Sequence, residues 1–185
     1  KKAIIVLGAC GQLGSHLSEL LYSKGYEVHG IVKKNTSDER IKWIKTLVPN
    51  IATYKIDILQ TTELSMIINT VRPEVVYNFI GATNTFLPWQ DIDNVLDLNA
   101  KFPQRVLEII TNADKNIRYF QASSCLVFGK DKSGLQNEST PRSPLWCYGA
   151  SKNYADNIVS AFKDSFGLFA CSGILFPTES PRRGD

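Results

Sequence analysis

A tyrosine and a lysine four residues apart, Tyr148 and Lys152, are the residues of this sequence whose types and spacing point most directly to chemistry. On a helix, residues at this spacing share one face, so the lysine ammonium would lie close to the phenol. A nearby positive charge favours the ionised form of a phenol and lowers its pKa. The pair predicts a tyrosine that transfers protons near neutral pH, although Tyr-x-x-x-Lys also occurs by chance in many helices.

A glycine-rich motif of the form G-x-x-G-x-x-G stands near the beginning of the chain, between the apolar run Ala3–Leu7 and leucines at helical spacing. Such glycines permit a tight turn and the close approach of a pyrophosphate, which the helix N-terminus attracts. The motif predicts a dinucleotide cofactor next to the tyrosine, and an ordinary glycine-rich strand–helix turn is the alternative. The predicted cofactor contacts here are Gly8, Gly11, Gln12, Leu13 and Gly14.

Strand and helix patterns alternate along the whole chain, and this alternation must position both motifs. The predicted strands are Ala3–Leu7, Glu27–Val32, Ile51–Ile56, Val75–Ile80, Arg118–Ala122 and Phe169–Leu175. Helical spacing of apolar residues separates them, and Pro103 is expected to kink or break the helix between Val95 and Ile110. The pattern predicts an α/β fold, a Rossmann-like doubly wound parallel sheet with helices on both faces. Ligands of such folds bind at the carboxyl ends of the strands.

The turn after the second predicted strand indicates which cofactor is used. Sites for NAD commonly place an acidic residue there, whereas NADP sites place basic residues near the 2′-phosphate. Here Lys33 and Lys34 occupy the turn, and no carboxylate appears until Asp38. We therefore predict NADP as the cofactor, with a solvated basic loop as the alternative.

Two further segments are expected to close the cofactor pocket. Asp57 and Ile58 follow the third strand and could contact the adenine edge. The fourth strand ends at Ile80, Gly81 and Ala82, which could pass beneath the adenosine and diphosphate. Either segment could instead be plain turn chemistry, because Asp, Asn and Gly favour turns.

Composition and charge limit the classes of function. A chain of 185 residues predicts one domain, here the cofactor-binding domain 1–185. The net charge of +3 is too small to indicate nucleic acid or an anionic membrane as a partner. The four scattered cysteines argue against a disulfide framework and against a metal site. The longest apolar run has the length of a strand, not of a membrane span, and we expect a cytoplasmic protein.

Several segments of the chain also resemble a known family. They are Gly25–Val32, Tyr119–Ser123, Tyr148–Ala150, Gly173–Phe176 and Glu179–Gly184. The chain is similar to the extended short-chain dehydrogenases/reductases that modify nucleotide-linked sugars, and most of all to the GDP-mannose 4,6-dehydratases. The resemblance implies NADP, a GDP-linked sugar substrate and a homo-oligomer. It also implies a smaller C-terminal domain that holds the sugar nucleotide and is largely absent from these residues, so we expect a longer protein.

The resemblance assigns roles to particular residues. It makes Tyr148 the residue that takes the proton of the 4-hydroxyl group, with Lys152 and the hydroxyl of Ser124 completing the hydride-transfer site. It places Arg183 near the cofactor, and an exposed basic tail is the alternative. At the position of the family's glutamate, which handles the proton of C5 and the water lost from C6, this chain has Leu126. A leucine side chain cannot accept or donate a proton.

Three hypotheses for the function follow. The first is a dehydratase whose missing glutamate is replaced by another group. Cys125 is adjacent but is expected to point away on an extended segment, and Glu138 lies in a loop. The second is a nucleotide-sugar 4-ketoreductase or epimerase, which needs only Ser124, Tyr148 and Lys152. The third is a non-catalytic NADP-binding subunit, which would have no physical need for a tyrosine–lysine pair.

Overall fold

The computed structural model describes residues 1–82, 91–129 and 134–183. Within these residues the strands are β1 (Ala3–Leu7), β2 (Glu27–Lys33), β3 (Ala52–Ile56), β4 (Val75–Asn78), β5 (Arg118–Ala122) and β6 (Ala170–Gly173). The α-helices are α1 (Gln12–Ser23), α2 (Asp38–Leu47), α3 (Thr61–Val71), α4 (Ile92–Leu96), α5 (Phe102–Ala113) and α6 (Cys147–Phe166). No helix in the described part of the chain is long and apolar enough to cross a membrane.

The strands of the described residues form one parallel sheet in the order β3-β2-β1-β4-β5-β6. In β1, Ile4 pairs with Val28 of β2 on one side and with Val75 of β4 on the other. The chain therefore runs outward from β1 in both directions, and the carboxyl ends of β1 and β4 border the crevice where such folds bind their ligands. The predicted doubly wound parallel sheet is confirmed.

Alternate residues of β1 face opposite sides of the sheet, and both sides are covered. Ile5 and Leu7 belong to the core cluster that packs against α3, α5 and α6. Ile4 and Val6 belong to the other cluster, which packs against α1 and α2. Because parallel strands buried on both faces are apolar throughout, the sequence of β1 is a continuous apolar run without alternation.

Two local departures from the sequence prediction have identifiable causes. The apolar pattern predicts a fourth strand that reaches Ile80, but β4 ends at Asn78 because Asn78 Oδ1 accepts the backbone N–H of Ile80 at 3.0 Å. Between α4 and α5 the irregularity is a π-helical segment, Asp97–Lys101, whereas Pro103 fits into the first turn of α5. Proline is tolerated there because the N–H groups of a first turn have no intrahelical acceptor.

Candidate active site

The glycine-rich turn joins β1 to α1 and is packed too closely for side chains. Gly8 has a φ of +86°, and a Cβ on Gly14 would lie 2.1 Å from the carbonyl oxygen of Gly8. Gly11 stands at the N-cap of α1 without a side-chain cap. An anion at the N-terminus of α1 would accept hydrogen bonds from the N–H groups of the next residues, Gln12, Leu13 and Gly14. The turn therefore has the geometry expected of a pyrophosphate cradle.

The predicted adenosine residues lie around a single cavity. Lys33 and Lys34 at the end of β2, with Asp57 and Ile58 after β3, line a space of about 520 Å³. The sequence reasoning did not identify Asn94 and Asp97, which line the same space from the α4 side. Their contribution depends on how α4 and the π-helical segment pack in the fold, and no local pattern indicates this.

Two carboxylates that follow β2 and β3 have partners within the chain. Asp38, the first acidic residue after β2, pairs with Lys55 Nζ at 2.7 Å, and this partner lowers the pKa of the Asp38 carboxyl. Asp57 Oδ1 accepts a hydrogen bond from the backbone N–H of Leu59 at 3.0 Å, as in an Asx turn. Neither observation assigns a ligand to these residues.

The segment after β4 connects the glycine-rich turn to the tyrosine–lysine site. A Cβ on Gly8 would lie 3.2 Å from the carbonyl carbon of Phe79, so the two backbones are in contact. A Cβ on Gly81 would lie 3.1 Å from Lys152 Nζ and 2.8 Å from Asn99 Oδ1. The segment that contains Ile80, Gly81 and Ala82 thus lies between the two predicted halves of the site.

Ser124, Tyr148 and Lys152 are brought together at the carboxyl end of β5. Ser124 is buried and lies near enough to the half-buried Tyr148 for its hydroxyl to lower the pKa of the phenol. Lys152 Nζ lies 5.9 Å from the centre of the Tyr148 ring and donates to the carbonyl of Ala122 at 3.0 Å. Residues about 28 positions apart in sequence therefore form one cluster, as the motifs predict, while their catalytic roles stay predictions.

The pKa values in this cluster are dominated by burial. Burial raises the pKa of Tyr148, and the hydrogen bond with Ser124 only partly opposes this. The net pKa of this phenol is therefore raised, contrary to the expectation that it would be lowered. Burial also lowers the pKa of Lys152 from 10.5 to about 8, with the negative charge of Asp156 acting in the opposite direction. At neutral pH the phenol is protonated and Lys152 is mostly cationic.

Leu126, the residue predicted to replace the family glutamate, lies in a 3₁₀ turn, Cys125–Val127, not on an extended segment. Ser124 Oγ accepts the N–H of Leu126 at 3.3 Å, and a Cβ on Gly149 would lie 2.4 Å from the Leu126 carbonyl oxygen. In this turn Cys125 lies near enough to Tyr148 for a thiolate there to raise the pKa of the phenol. The expectation of an extended segment at Cys125 was wrong, so the alternation of side chains along a strand does not apply to this residue.

Asn99 is a site residue that the sequence analysis missed. It is fully buried in the π-helical segment, where Oδ1 accepts the N–H of Ala82 at 2.9 Å and Nδ2 donates to Ser151 Oγ at 3.2 Å. It links the segment after β4 to the helix that carries Tyr148. A signal was present in the sequence, because Asn99 falls at helical spacing with Val95 and Phe102 on a face that is otherwise apolar.

The C-terminal segment folds back onto the start of α1. Gln12 Nε2 donates to the carbonyl of Thr178 at 3.0 Å, and Arg182 pairs with Glu19 of α1 at 2.5 Å. Arg183, the predicted cofactor contact, is exposed and pairs with Glu179. The segment is thus near the glycine-rich turn, but within this chain Arg182 makes the anchoring contact.

The strand order, the glycine-rich turn and the Ser124, Tyr148 and Lys152 cluster define a class, the extended short-chain dehydrogenases/reductases of the epimerase and dehydratase type. A sequence model of the GDP-mannose 4,6 dehydratase family matches residues 5–185. The chain belongs to this family.

Similar proteins agree with that assignment. The GDP-mannose 4,6-dehydratase of Vibrio cholerae is 35% identical over 100% of this chain and 52% of its own length, and the human GDP-mannose 4,6 dehydratase is 34% identical over the same shares. The chain thus spans about half the length of these relatives. UDP-glucuronic acid 4-epimerase from Bacillus cereus, solved with UDP-glucuronic acid and NAD, is 25% identical with a TM-score of 0.86. That match covers 98% of this chain and 58% of the epimerase.

Proposed function

We propose that this chain is the cofactor-binding part of an NADP-dependent enzyme that transfers hydride at C4 of a nucleotide-diphosphate sugar. A GDP-linked sugar is favoured, because the chain belongs to the GDP-mannose 4,6-dehydratase family. The proposal includes a smaller C-terminal domain that binds the sugar nucleotide, and a homo-oligomeric, cytoplasmic enzyme. The observation that carries the proposal is the meeting of Ser124, Tyr148 and Lys152 beside the Gly81 turn.

The described residues fit an NADP molecule. Gly8 and Gly14 leave a cradle that a Cβ would fill, and Lys33 and Lys34 border the cavity expected for the adenosine end. Asp38, which could otherwise favour NAD, is paired with Lys55. When bound, NADP supplies the acceptor or donor of the hydride. The protein supplies the groups that orient the sugar oxygen and move its proton.

Each residue of the cluster has a definite part in this proposal. For oxidation, Tyr148 as a phenolate accepts the proton of the C4 hydroxyl while the C4–H bonding pair leaves as hydride. For reduction, the phenol donates its proton to the ketone oxygen as hydride arrives at C4. Ser124 holds that oxygen through its hydroxyl, and the cationic Lys152 stabilises the phenolate form.

A nucleotide-sugar 4-ketoreductase is the second candidate, and two observations favour it. At neutral pH the phenol of Tyr148 is protonated, which is the form that donates a proton to a ketone oxygen. Leu126, at the position where the resemblance expects the family glutamate, can neither accept nor donate a proton. An epimerase would use the same three residues in both directions. A non-catalytic NADP-binding subunit is an outcome that the following experiment can reveal.

The test uses the full-length protein with NADP and GDP-mannose, and with NADPH and a GDP-4-keto sugar. Tyr148→Phe removes only the hydroxyl, so turnover should fall by about 10²–10⁴-fold while cofactor affinity is retained. Tyr154→Phe is the matched control, because Tyr154 lies on the same helix but is exposed and donates to Gln104. Wild-type turnover in Tyr148→Phe refutes the assignment. Binding of NADP without turnover of any sugar nucleotide supports the non-catalytic subunit.

A further inference from the structure

Asp156 carries a buried carboxylate within α6, one helical turn after Lys152, and only 3% of the residue is exposed. Its Oδ2 accepts the Ser123 hydroxyl at 2.7 Å and pairs with Arg142 Nη1 at 2.5 Å. Its Oδ1 is also buried and has no hydrogen-bond partner among the residues that the structure describes. Burying a carboxylate is costly unless it is fully paired, so the arrangement is a poor way simply to stabilise a helix.

The partners of Asp156 come from the parts of the chain that build the hydride-transfer site. Ser123 follows β5 and precedes Ser124, and Arg142 belongs to the segment that leads into α6. Asp156 itself lies on the helix that carries Tyr148. Asp156 Oδ2 thus links three parts of the chain, namely the end of β5, the segment that leads into α6, and α6 itself. A shift of any of these would change the distance between Ser124 and Tyr148.

The charge of Asp156 also matters for Lys152. Lys152 is 4% exposed and donates to the carbonyl of Ala122, a neutral acceptor that does not balance its charge. Asp156 is four residues further along the same helix face, and its negative charge opposes the lowering of the pKa of Lys152. The other ionisable groups at this site are Tyr148, Cys125 in the 3₁₀ turn, and Arg142, which pairs with Asp156.

We propose that Asp156 is a positioning residue of the hydride-transfer site. Its charge holds the buried Lys152 in the cationic form, and its hydrogen bond to Ser123 fixes Ser124 against Tyr148. The inference rests on the proposed function, because a cationic lysine beside Tyr148 is needed only if the phenol changes its protonation state. It assigns to Asp156 no contact with substrate or cofactor.

The test follows the titration of Lys152 by NMR of isotope-labelled lysine side chains in the full-length protein. The signal is identified by its loss in Lys152→Met. In Asp156→Asn, which keeps the size of the side chain and removes its charge, the titration midpoint should fall by about one pH unit or more. If Asp156 serves only to hold the fold together, its loss admits water to Lys152. The midpoint then rises from about 8 toward 10.5, which overturns the proposal.

Further variants separate charge from geometry. Asp156→Glu should restore the wild-type midpoint. Ser123→Ala, which keeps the charge, should leave the midpoint unchanged but lower kcat by about tenfold or more through the displaced Ser124. Wild-type kcat in Ser123→Ala overturns the positioning of Ser124. If Asp156→Asn does not fold, the double variant Asp156→Asn with Arg142→Gln also removes the guanidinium that Asp156 would leave unpaired. The titration midpoint of Lys152 should fall in this double variant as well.

These measurements also distinguish failure of the inference from failure of the proposed function. The titration of Lys152 requires neither a substrate nor turnover. Suppose that the titration midpoint of Lys152 is unchanged or raised in Asp156→Asn, while Tyr148→Phe loses activity as expected. This result overturns the role of Asp156 and leaves the proposed function standing. A lowered midpoint in a protein that turns over no sugar nucleotide refutes the proposed function and leaves the electrostatic role of Asp156 established.

Discussion

Burial of Lys152 predicts an unusual dependence of stability on pH. The pKa of this ammonium falls from 10.5 to about 8 in the folded protein, which at 1.36 kcal/mol per pH unit corresponds to about 3 kcal/mol. Below pH 8 the group is cationic in both states, and burying it opposes folding by up to that amount. Between pH 8 and pH 10.5 the unfolded chain holds the proton and the folded chain does not. Because the unfolded state then binds more protons, the contribution of Lys152 to stability rises with pH in this window.

Lys152→Met isolates this contribution. We expect the free energy of unfolding of the wild-type full-length protein, measured relative to Lys152→Met, to increase by about 2 kcal/mol between pH 8 and about pH 10. Denaturant unfolding of both proteins at a series of pH values measures it. Taking the difference removes the titration of cysteines and other tyrosines that both proteins share. Lys163→Met, on the exposed part of the same helix, is the matched control for the removal of a lysine.

A flat difference for Lys152→Met would refute the reasoning, since it would mean that Lys152 titrates at the same pH in both states. A decrease with rising pH would refute it more strongly, because it would place the folded pKa above the unfolded one. Either result would show that water reaches Lys152 in the folded protein or that Asp156 outweighs burial.

The remaining predictions concern the cofactor and the missing glutamate. Lys33→Ala combined with Lys34→Ala should weaken NADP binding by about 1.5–3 kcal/mol for each ammonium that binds the 2′-phosphate, and leave NAD binding nearly unchanged. Calorimetric titration of both cofactors measures this, and an equal weakening of both would contradict a 2′-phosphate role. Gly14→Ala should destabilise the fold by about 1–3 kcal/mol and weaken the binding of both cofactors, because the added Cβ would overlap the carbonyl of Gly8. Unaltered cofactor binding in Gly14→Ala would argue against the tight turn. Leu126→Glu should produce a 4-keto-6-deoxy product that the unmodified enzyme forms poorly or not at all, measured by mass spectrometry. Efficient dehydration by the unmodified enzyme would contradict the prediction.

Local sequence patterns were sufficient for the architecture. Apolar runs such as Ala3–Leu7, alternating with helical spacing, required a parallel sheet covered on both faces, and the observed strand order agrees. The glycine-rich turn was also predictable, because close backbone approach is a property that glycine alone permits and that shows in the residue types. Tyr148 and Lys152 share a helix, so their proximity followed from their spacing in the sequence.

Strand ends were less predictable, since they depend on competition between backbone and side-chain hydrogen bonds. Asn78 ends β4 by accepting the N–H of Ile80, and the same residue donates to Gln121 in the neighbouring strand. A sequence pattern shows the apolar run but not which acceptor a particular N–H selects. In the π-helical segment, Asn99 likewise binds partners from distant parts of the chain, which no local pattern shows.

The protonation chemistry of the site was decided by the tertiary structure. The sequence shows that an ammonium lies one helical turn from a phenol, but it does not show how much water either group retains. Burial raises the pKa of Tyr148 and lowers that of Lys152, which reverses the expectation for the phenol. Asp156 and Ser123 are 33 positions apart, so no local pattern joins them. The sequence by itself determined which groups are present, and only the packed fold decided their solvation and their charges, because desolvation depends on all neighbours in space and not on neighbours in the chain.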